Sequence, residues 1–293
     1  MLTLRNRTLS WTRPLLMGVV NVNPDSFSDP GPRTLDMVVD KAAALVADGA
    51  TMVDVGAQSA ITNRPPMDPA HEADLVAPAV ERIRQACPGA VVSVDTYKPE
   101  VARAALAAGA DLVNDVSGLA DPALARLCAA DGAGLVVMHT SAPPLTRLQD
   151  PRRYPGGVAA EVAAFLQDRM EEAVAAGVAA ESIVLDPGVD FTKTPGQSVA
   201  LLRGIGEVAA LGRPLLLALS RKDFVGALTG RPPSRRDPGT LGAVAAVSDV
   251  PALILRVHDV AGVRDFLLVR EAIEGPGERD PSLLLPEHLR HER

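Results

Sequence analysis

Eight apolar runs of strand length punctuate this chain, and each gives way to a polar residue at its C-terminal end. They cover residues 15–21, 52–54, 91–95, 112–114, 134–139, 183–186, 215–220 and 253–258. Their closing residues are Asn21, Asp54, Asp95, Asn114, His139, Asp186, Ser220 and His258. Between them lie mostly Ala-rich stretches of helical pattern. Residues 34–48 carry Leu35, Val38, Val39, Ala42, Leu45 and Val46 on one helical stripe and stop at Gly49. Residues 101–108 stop at Gly109, and residues 158–176 at Gly177. A strand–helix unit repeated in this way predicts an α/β chain folded as a single (β/α)8 barrel. In such a barrel the site is built at the C-terminal ends of the strands, so the polar tips describe a site as well as a fold.

Length and composition agree. The 293 residues form one expected domain, 1–293, with a barrel core at about 14–270, a short N-terminal extension and an irregular surface tail over 275–293. Hydrophobic residues at 47% and charged residues at 22% suffice for one large core. The net charge of −7, without a basic stripe, argues against a nucleic-acid partner. Arg152-Arg153 and Arg235-Arg236 read as solvated loop charges. The apolar run after Arg5, Arg7 and Arg13 is too short to span a membrane, and no cleavage site follows it, so a cytoplasmic protein with no membrane partner is expected. Cys87 and Cys128 lack metal-ligand spacing and read as small buried hydrophobes.

The loops after the strands hold the chemistry. The sequence reads MGVVNVNPDSFSD from Met17, SVDTYKP from Ser93 and NDVSG from Asn114. Further on come VVMH, LDPG, LSRK and RVHD, ending at His139, Gly188, Lys222 and Asp259. In this order and spacing, over roughly residues 14–270, the chain resembles the dihydropteroate synthase family, whose fold is the TIM barrel. The family joins 6-hydroxymethyl-7,8-dihydropterin diphosphate to p-aminobenzoate and releases pyrophosphate in folate biosynthesis.

The resemblance implies a set of roles. Asp95, Asn114 and Asp186 would read the pterin edge through paired hydrogen bonds, with Lys222 reaching the ring from the other side. Asn21, Arg64, Arg256 and His258 would hold the diphosphate. Mg²⁺ is the implied cofactor, with Asn21 as a ligand of the metal or of the phosphates. Phe27, Phe191, Lys222 and Asp223 would line the amine pocket. Lys222, Arg256 and His258 are the implied catalytic set, with no general base required of a neutral arylamine. Family members are usually homodimers, and the apolar stretch 244–247 could serve a partner or the chain's own core.

Three departures from the family pattern bear on the amine. The loop Gly56-Ala57-Gln58 to Arg64-Pro65 is longer than the family's Gly-Gly-Glu-Ser-Thr-Arg-Pro, with Gln58 in place of Glu. Asp223 stands where the family has a Ser that, with the helix N-terminus, holds the p-aminobenzoate carboxylate. Asp190 stands where a Gly is common, while Phe191 and Lys193 match. Two carboxylates at about 4 Å repel by roughly 4 kcal/mol at an effective dielectric of 20. Asp223 either faces the pocket or caps its own helix. An ordinary synthase, a paralogue using another amine, and a pterin-binding protein without turnover all fit. Asp68, His71 and Glu72 read as a solvated helix start.

Overall fold

A computed structural model describes residues 1–5, 7–23, 34–58, 65–275 and 282–290. Two short strands, β1 (Leu2–Leu4) and β2 (Arg7–Leu9), form an antiparallel hairpin with Leu2 opposite Leu9. Eight strands then close a parallel barrel. They are β3 (Leu15–Asn21), β4 (Met52–Gly56), β5 (Val91–Asp95), β6 (Leu112–Asp115), β7 (Gly134–Met138), β8 (Ile183–Asp186), β9 (Leu215–Ala218) and β10 (Leu253–Val257). They pair in chain order, with β10 closing on β3. The expected strands and the (β/α)8 architecture are all present. The last three residues expected in the seventh and eighth runs divide differently: Ser220 and His258 lie just beyond β9 and β10, in the turns that leave the barrel.

The helices form the outer ring. They are α1 (Leu35–Ala47), α2 (Pro69–Ala86), α3 (Pro99–Ala107), α4 (Ala123–Asp131), α5 (Val158–Ala175), α6 (Pro195–Arg203), α7 (Ile205–Ala209), α8 (Asp223–Thr229), α9 (Asp237–Val247) and α10 (Val260–Glu274). Their ends follow local chemistry. Thr34 accepts the Met37 amide at the start of α1, and Thr194 with Gln197 forms a reciprocal capping box on α6. Gly49, Gly109 and Gly177, which follow α1, α3 and α5, take positive φ. Val244 and Val247 of α9 are buried in the chain's own core, so the core-face reading of 244–247 holds.

Alternation along the strands sorts side chains into layers. Val53, Val92, Val113, Leu135, Ile183, Leu217 and Leu255 face the helices. Met17, Met52, Val91, Leu112, Val136, Val184, Leu216 and Ile254 belong to the second cluster, inside the barrel, together with Leu2 and Leu4 of the hairpin. The N-terminal extension is therefore a plug for the barrel's lower end. Buried Asp111 secures it: its carboxylate accepts from Arg7 at 2.9 Å, from the Val92 amide at 2.9 Å and from Arg84. Leu4 is fully buried against this layer, so Leu4→Ala should lower stability by about 2–4 kcal/mol. A denaturant midpoint within error of the wild type would show that the plug is dispensable.

Two positions further along five of the strands, the inward residues change character. Met52, Val91, Leu112, Val184 and Ile254 are followed at the next inward position by Asp54, Ser93, Asn114, Asp186 and Arg256. The same register that builds the apolar floor thus raises a polar ring above it, and the site stands on that ring.

Candidate active site at the C-terminal mouth of the barrel

Arg256 is the centre of one half of the ring. Its Nε donates to Asp54 Oδ2 at 2.6 Å and its Nη2 to Asp95 Oδ2 at 2.9 Å. Asp54, with no exposed surface, also accepts from Ser93 Oγ at 2.6 Å and Asn114 Nδ2 at 3.0 Å. Asn114 Oδ1 is buried with no hydrogen-bond partner among the described residues, a free acceptor in the ring. Burial raises Asp95 to about 7, against the pull of Arg256 and helped by Asp54, Glu72 and Asp186. Asp54 was absent from the residues expected at the site. Its place in the inward alternation is the signal that finds it: β4 and β10 are six strands apart along the chain, but only β3 separates them in the closed barrel.

The other half is organised by the turn after β8. Asp186 Oδ1 accepts the Gly188 amide at 2.7 Å, and burial holds its carboxyl above the usual carboxylate range. Gly188 has φ +66°, and a Cβ there would lie 2.1 Å from the carbonyl oxygen of His139, so only glycine fits. Fully buried Lys193 donates to the carbonyls of Gly188 at 2.9 Å and Phe191 at 3.2 Å and meets His139 Nδ1 at 2.8 Å. Burial lowers Lys193 to about 7 and His139 to about 2. Lys193 thus fastens the turn that presents Asp186. Lys222 Nζ lies 4.5 Å from the Phe191 ring centroid, and burial lowers its pKa.

His258 meets Ser220 Oγ through Nδ1 at 2.9 Å, while its backbone N–H donates to the same oxygen at 3.3 Å. Ser220 Oγ thus holds both the backbone and the ring of His258 in place. Burial first, and Arg256 second, lower His258 to about 4. At neutral pH its ring is uncharged, so Arg256 is the fixed cation at this strand end. Asn21 ends β3, beside Gly56 of β4. Phe27 and Arg64 lie outside the described residues.

A cleft opens beside Phe191. It is lined by Asp190, Thr192 and Asp223 and by the loop after β7, including Thr140, Pro144 and Arg147. Of the two alternatives for Asp223, the structure removes the helix cap and leaves the side chain lining this cleft. Asp223 gives its own helix no side-chain cap, and it pairs with Arg236 at 3.1 Å. The cap comes from Asp190, whose Oδ2 accepts the Phe224 amide at 3.2 Å and whose Oδ1 accepts from Ser198 Oγ at 2.8 Å. Asp190 takes φ +65°, the backbone conformation that suits the family's glycine and that Asp tolerates. Arg236 is not a solvated loop charge: its side chain is largely buried, and Nη1 also donates to the carbonyls of Arg221 and Lys222.

A second correction concerns the start of α2. Asp68 is exposed and caps the helix at the His71 amide, but Glu72 is buried. Its Oε2 accepts from Lys98 Nζ at 2.5 Å, and Lys98 also donates to Gln58 Oε1 at 2.8 Å and to the Met67 carbonyl at 2.6 Å. Gln58 Oε1 takes the Met67 amide as well, at 2.8 Å. Lys98 therefore joins the two flanks of the lengthened loop to α2, a role the sequence pattern of α2 did not suggest.

Residues 17–258 match the family model described as pterin binding enzyme. The chain belongs to the pterin-binding enzyme family. It is 43% identical to the dihydropteroate synthase of Mycobacterium leprae, covering 87% of this chain and 91% of the relative. It is 40% identical to a Mycobacterium tuberculosis protein named inactive dihydropteroate synthase 2, over 93% of this chain and 87% of the relative. Among solved structures, Xanthomonas albilineans dihydropteroate synthase in complex with 7,8-dihydropteroate superposes with a TM-score of 0.80 at 37% identity. That match covers 93% of this pterin-binding enzyme and 98% of the neighbour. No helix of the described residues is long and apolar enough to cross a membrane.

Proposed function

We propose that this chain is a dihydropteroate synthase: it condenses 6-hydroxymethyl-7,8-dihydropterin diphosphate with p-aminobenzoate and releases pyrophosphate. The observation that carries this reading is the polar ring above the barrel floor, where Asn114 donates to Asp54 through Nδ2 while its Oδ1 has no partner among the described residues. A pterin edge carries ring and exocyclic N–H donors beside ring acceptors, and this ring offers the complement. Asp186 and Asp95 accept, Asn114 accepts through Oδ1, and Lys222 donates to the opposite side. Related proteins of this family are named as synthases and crystallised with the product, which points the same way.

The chemistry follows from charge. The bond between the pterin methylene and the diphosphate oxygen breaks as the arylamine nitrogen forms its bond to the same carbon. Arg256 and His258, at the tip of β10, would meet the charge that grows on the departing pyrophosphate. Arg64 belongs with them in this proposal. Mg²⁺ would arrive on the diphosphate with Asn21 as its protein ligand, because no group of three or more His, Cys, Asp or Glu side chains converges among the described residues. Bound there, it would neutralise the leaving group. Phe27, Phe191 and Lys222 would bracket the amine. A cytoplasmic homodimer remains part of the proposal, with Val244 and Val247 unavailable to the partner because they are buried.

A second reading, pterin binding without turnover, is favoured by one specific observation. Arg256 is held by two carboxylates, and several relatives at about 40% identity are named inactive. Equilibrium titration with the pterin diphosphate tests the binding half of both readings. With Asp95 at about 7, the carboxylate acceptor is lost as pH falls, so affinity should drop by about tenfold per unit below pH 7. Asp95→Asn should flatten that slope. An affinity independent of pH between 5 and 8 in the wild type would remove Asp95 from the pterin contacts.

A further inference from the structure

The cleft beside Phe191 carries a charge arrangement that the proposed reaction does not by itself explain. Two features beside it could serve an anionic group, and both are already engaged. The Phe224 amide at the start of α8 is taken by Asp190 Oδ2 at 3.2 Å, and Asp190 is held there by Ser198. Arg236 is taken by Asp223 at 3.1 Å and by two carbonyls. A carboxylate arriving there would displace an internal carboxylate and lie against a second one. Lys222 is engaged too: it lies 4.5 Å from the Phe191 ring centroid and within the field of Asp190 and Asp186. One cation of the lining differs. Arg147, exposed on the loop after β7, lines the same cleft as Asp190 and Asp223, and no hydrogen bond or ion pair engages it among the described residues.

We infer that Arg147 is the specificity-determining residue for the amine: it holds the carboxylate of an aromatic amino acid substrate in this cleft, while Asp190 and Asp223 keep that carboxylate away from the start of α8. This rests on the synthase reading and extends it to a residue in a loop that none of the sequence motifs covers. A planar guanidinium suits the task, since it can bind a carboxylate through two parallel N–H donors and needs no help from a helix end. The three charges divide the work. Asp190 fixes the entrance of α8, Asp223 fixes Arg236, and Arg147 stays available for the substrate. The amine end would then point inward, over Phe191 and toward the pterin methylene.

The test compares p-aminobenzoate with p-aminobenzamide, which differ at the carboxylate. Each is titrated into the protein in the presence of Mg²⁺, inorganic pyrophosphate and 6-hydroxymethylpterin, which fill the neighbouring subsites without turnover. Wild-type protein should bind p-aminobenzoate about tenfold more tightly than the amide. Arg147→Gln should abolish that preference by weakening p-aminobenzoate alone, with pterin affinity unchanged, and Arg147→Lys should restore part of it. Asp190→Asn, which keeps the hydrogen bonds and removes the charge, should change the preference by less than Arg147→Gln does. The proposal is overturned if Arg147→Gln keeps the wild-type preference, or if the wild type favours the amide. It is overturned equally if Asp190→Asn or Asp223→Ser strengthens p-aminobenzoate tenfold, since the carboxylate would then sit at α8. Failure of the pterin titration itself would instead count against the synthase reading, and separates the two.

Discussion

Asp54→Ala is expected to destabilise the protein by about 3–5 kcal/mol, the scale on which a buried charge pair is broken by loss of one partner. Asp54 has no exposed surface and holds three groups at once: Arg256 Nε, Ser93 Oγ and Asn114 Nδ2. Alanine would leave a largely buried guanidinium with Asp95 alone, and a buried hydroxyl and amide without an acceptor. Each such orphan costs about 1–3 kcal/mol, although relaxation and water entering the ring return part of it. Asp54→Asn separates charge from shape. It keeps one acceptor for Ser93 or Asn114 but sets an amide N–H₂ or a neutral oxygen against Arg256. We expect it to fall between alanine and wild type. Denaturant unfolding measures both, and a loss under about 1 kcal/mol for alanine would mean that the ring is not the framework of the barrel mouth.

Asp186→Asn should weaken binding of the pterin diphosphate by about a hundredfold or more. One Asp186 oxygen already accepts the Gly188 amide at 2.7 Å, so an asparagine here must keep its oxygen on that amide. Its NH₂ then stands where the second carboxylate oxygen was, donor against the pterin's donor. Losing a charge-assisted hydrogen bond costs about 1.5–3 kcal/mol, and the donor–donor encounter adds to it. Stability should change little, because the Gly188 turn keeps its acceptor and Lys193 still fastens it. A titration that returns near wild-type affinity would detach Asp186 from the pterin and with it the carry-over of roles from the family.

Much of this was legible in the sequence, and particular residues show where it stopped being so. The eight runs and their polar ends gave the barrel because period-two alternation and glycine stops are local signals. The hairpin 2–9 was not read as strands. Three-residue strands carry almost no periodicity, and Leu2 and Leu4 acquire meaning only when a barrel floor exists to receive them. Asp54 was visible as a strand end but not as a hub, because its partners Ser93, Asn114 and Arg256 lie 39, 60 and 202 residues away. Glu72 sits in the first turn of a helix beside exposed Asp68 and His71, and nothing in that local pattern announces a lysine 26 residues on. Asp190 and Asp223 were singled out as changes of charge. Which of them would cap α8 depended on the loop after β8 folding back over the helix start, a tertiary fact.

The central claim is the transfer of a pterin from its diphosphate to an arylamine, and pyrophosphate release tests it most directly. The protein is supplied with 6-hydroxymethyl-7,8-dihydropterin diphosphate and Mg²⁺, with and without p-aminobenzoate. The account predicts release that depends on the amine, with one dihydropteroate formed for each pyrophosphate. Saturable binding of the pterin diphosphate with no amine-dependent release would contradict it and leave a pterin-binding barrel without this reaction.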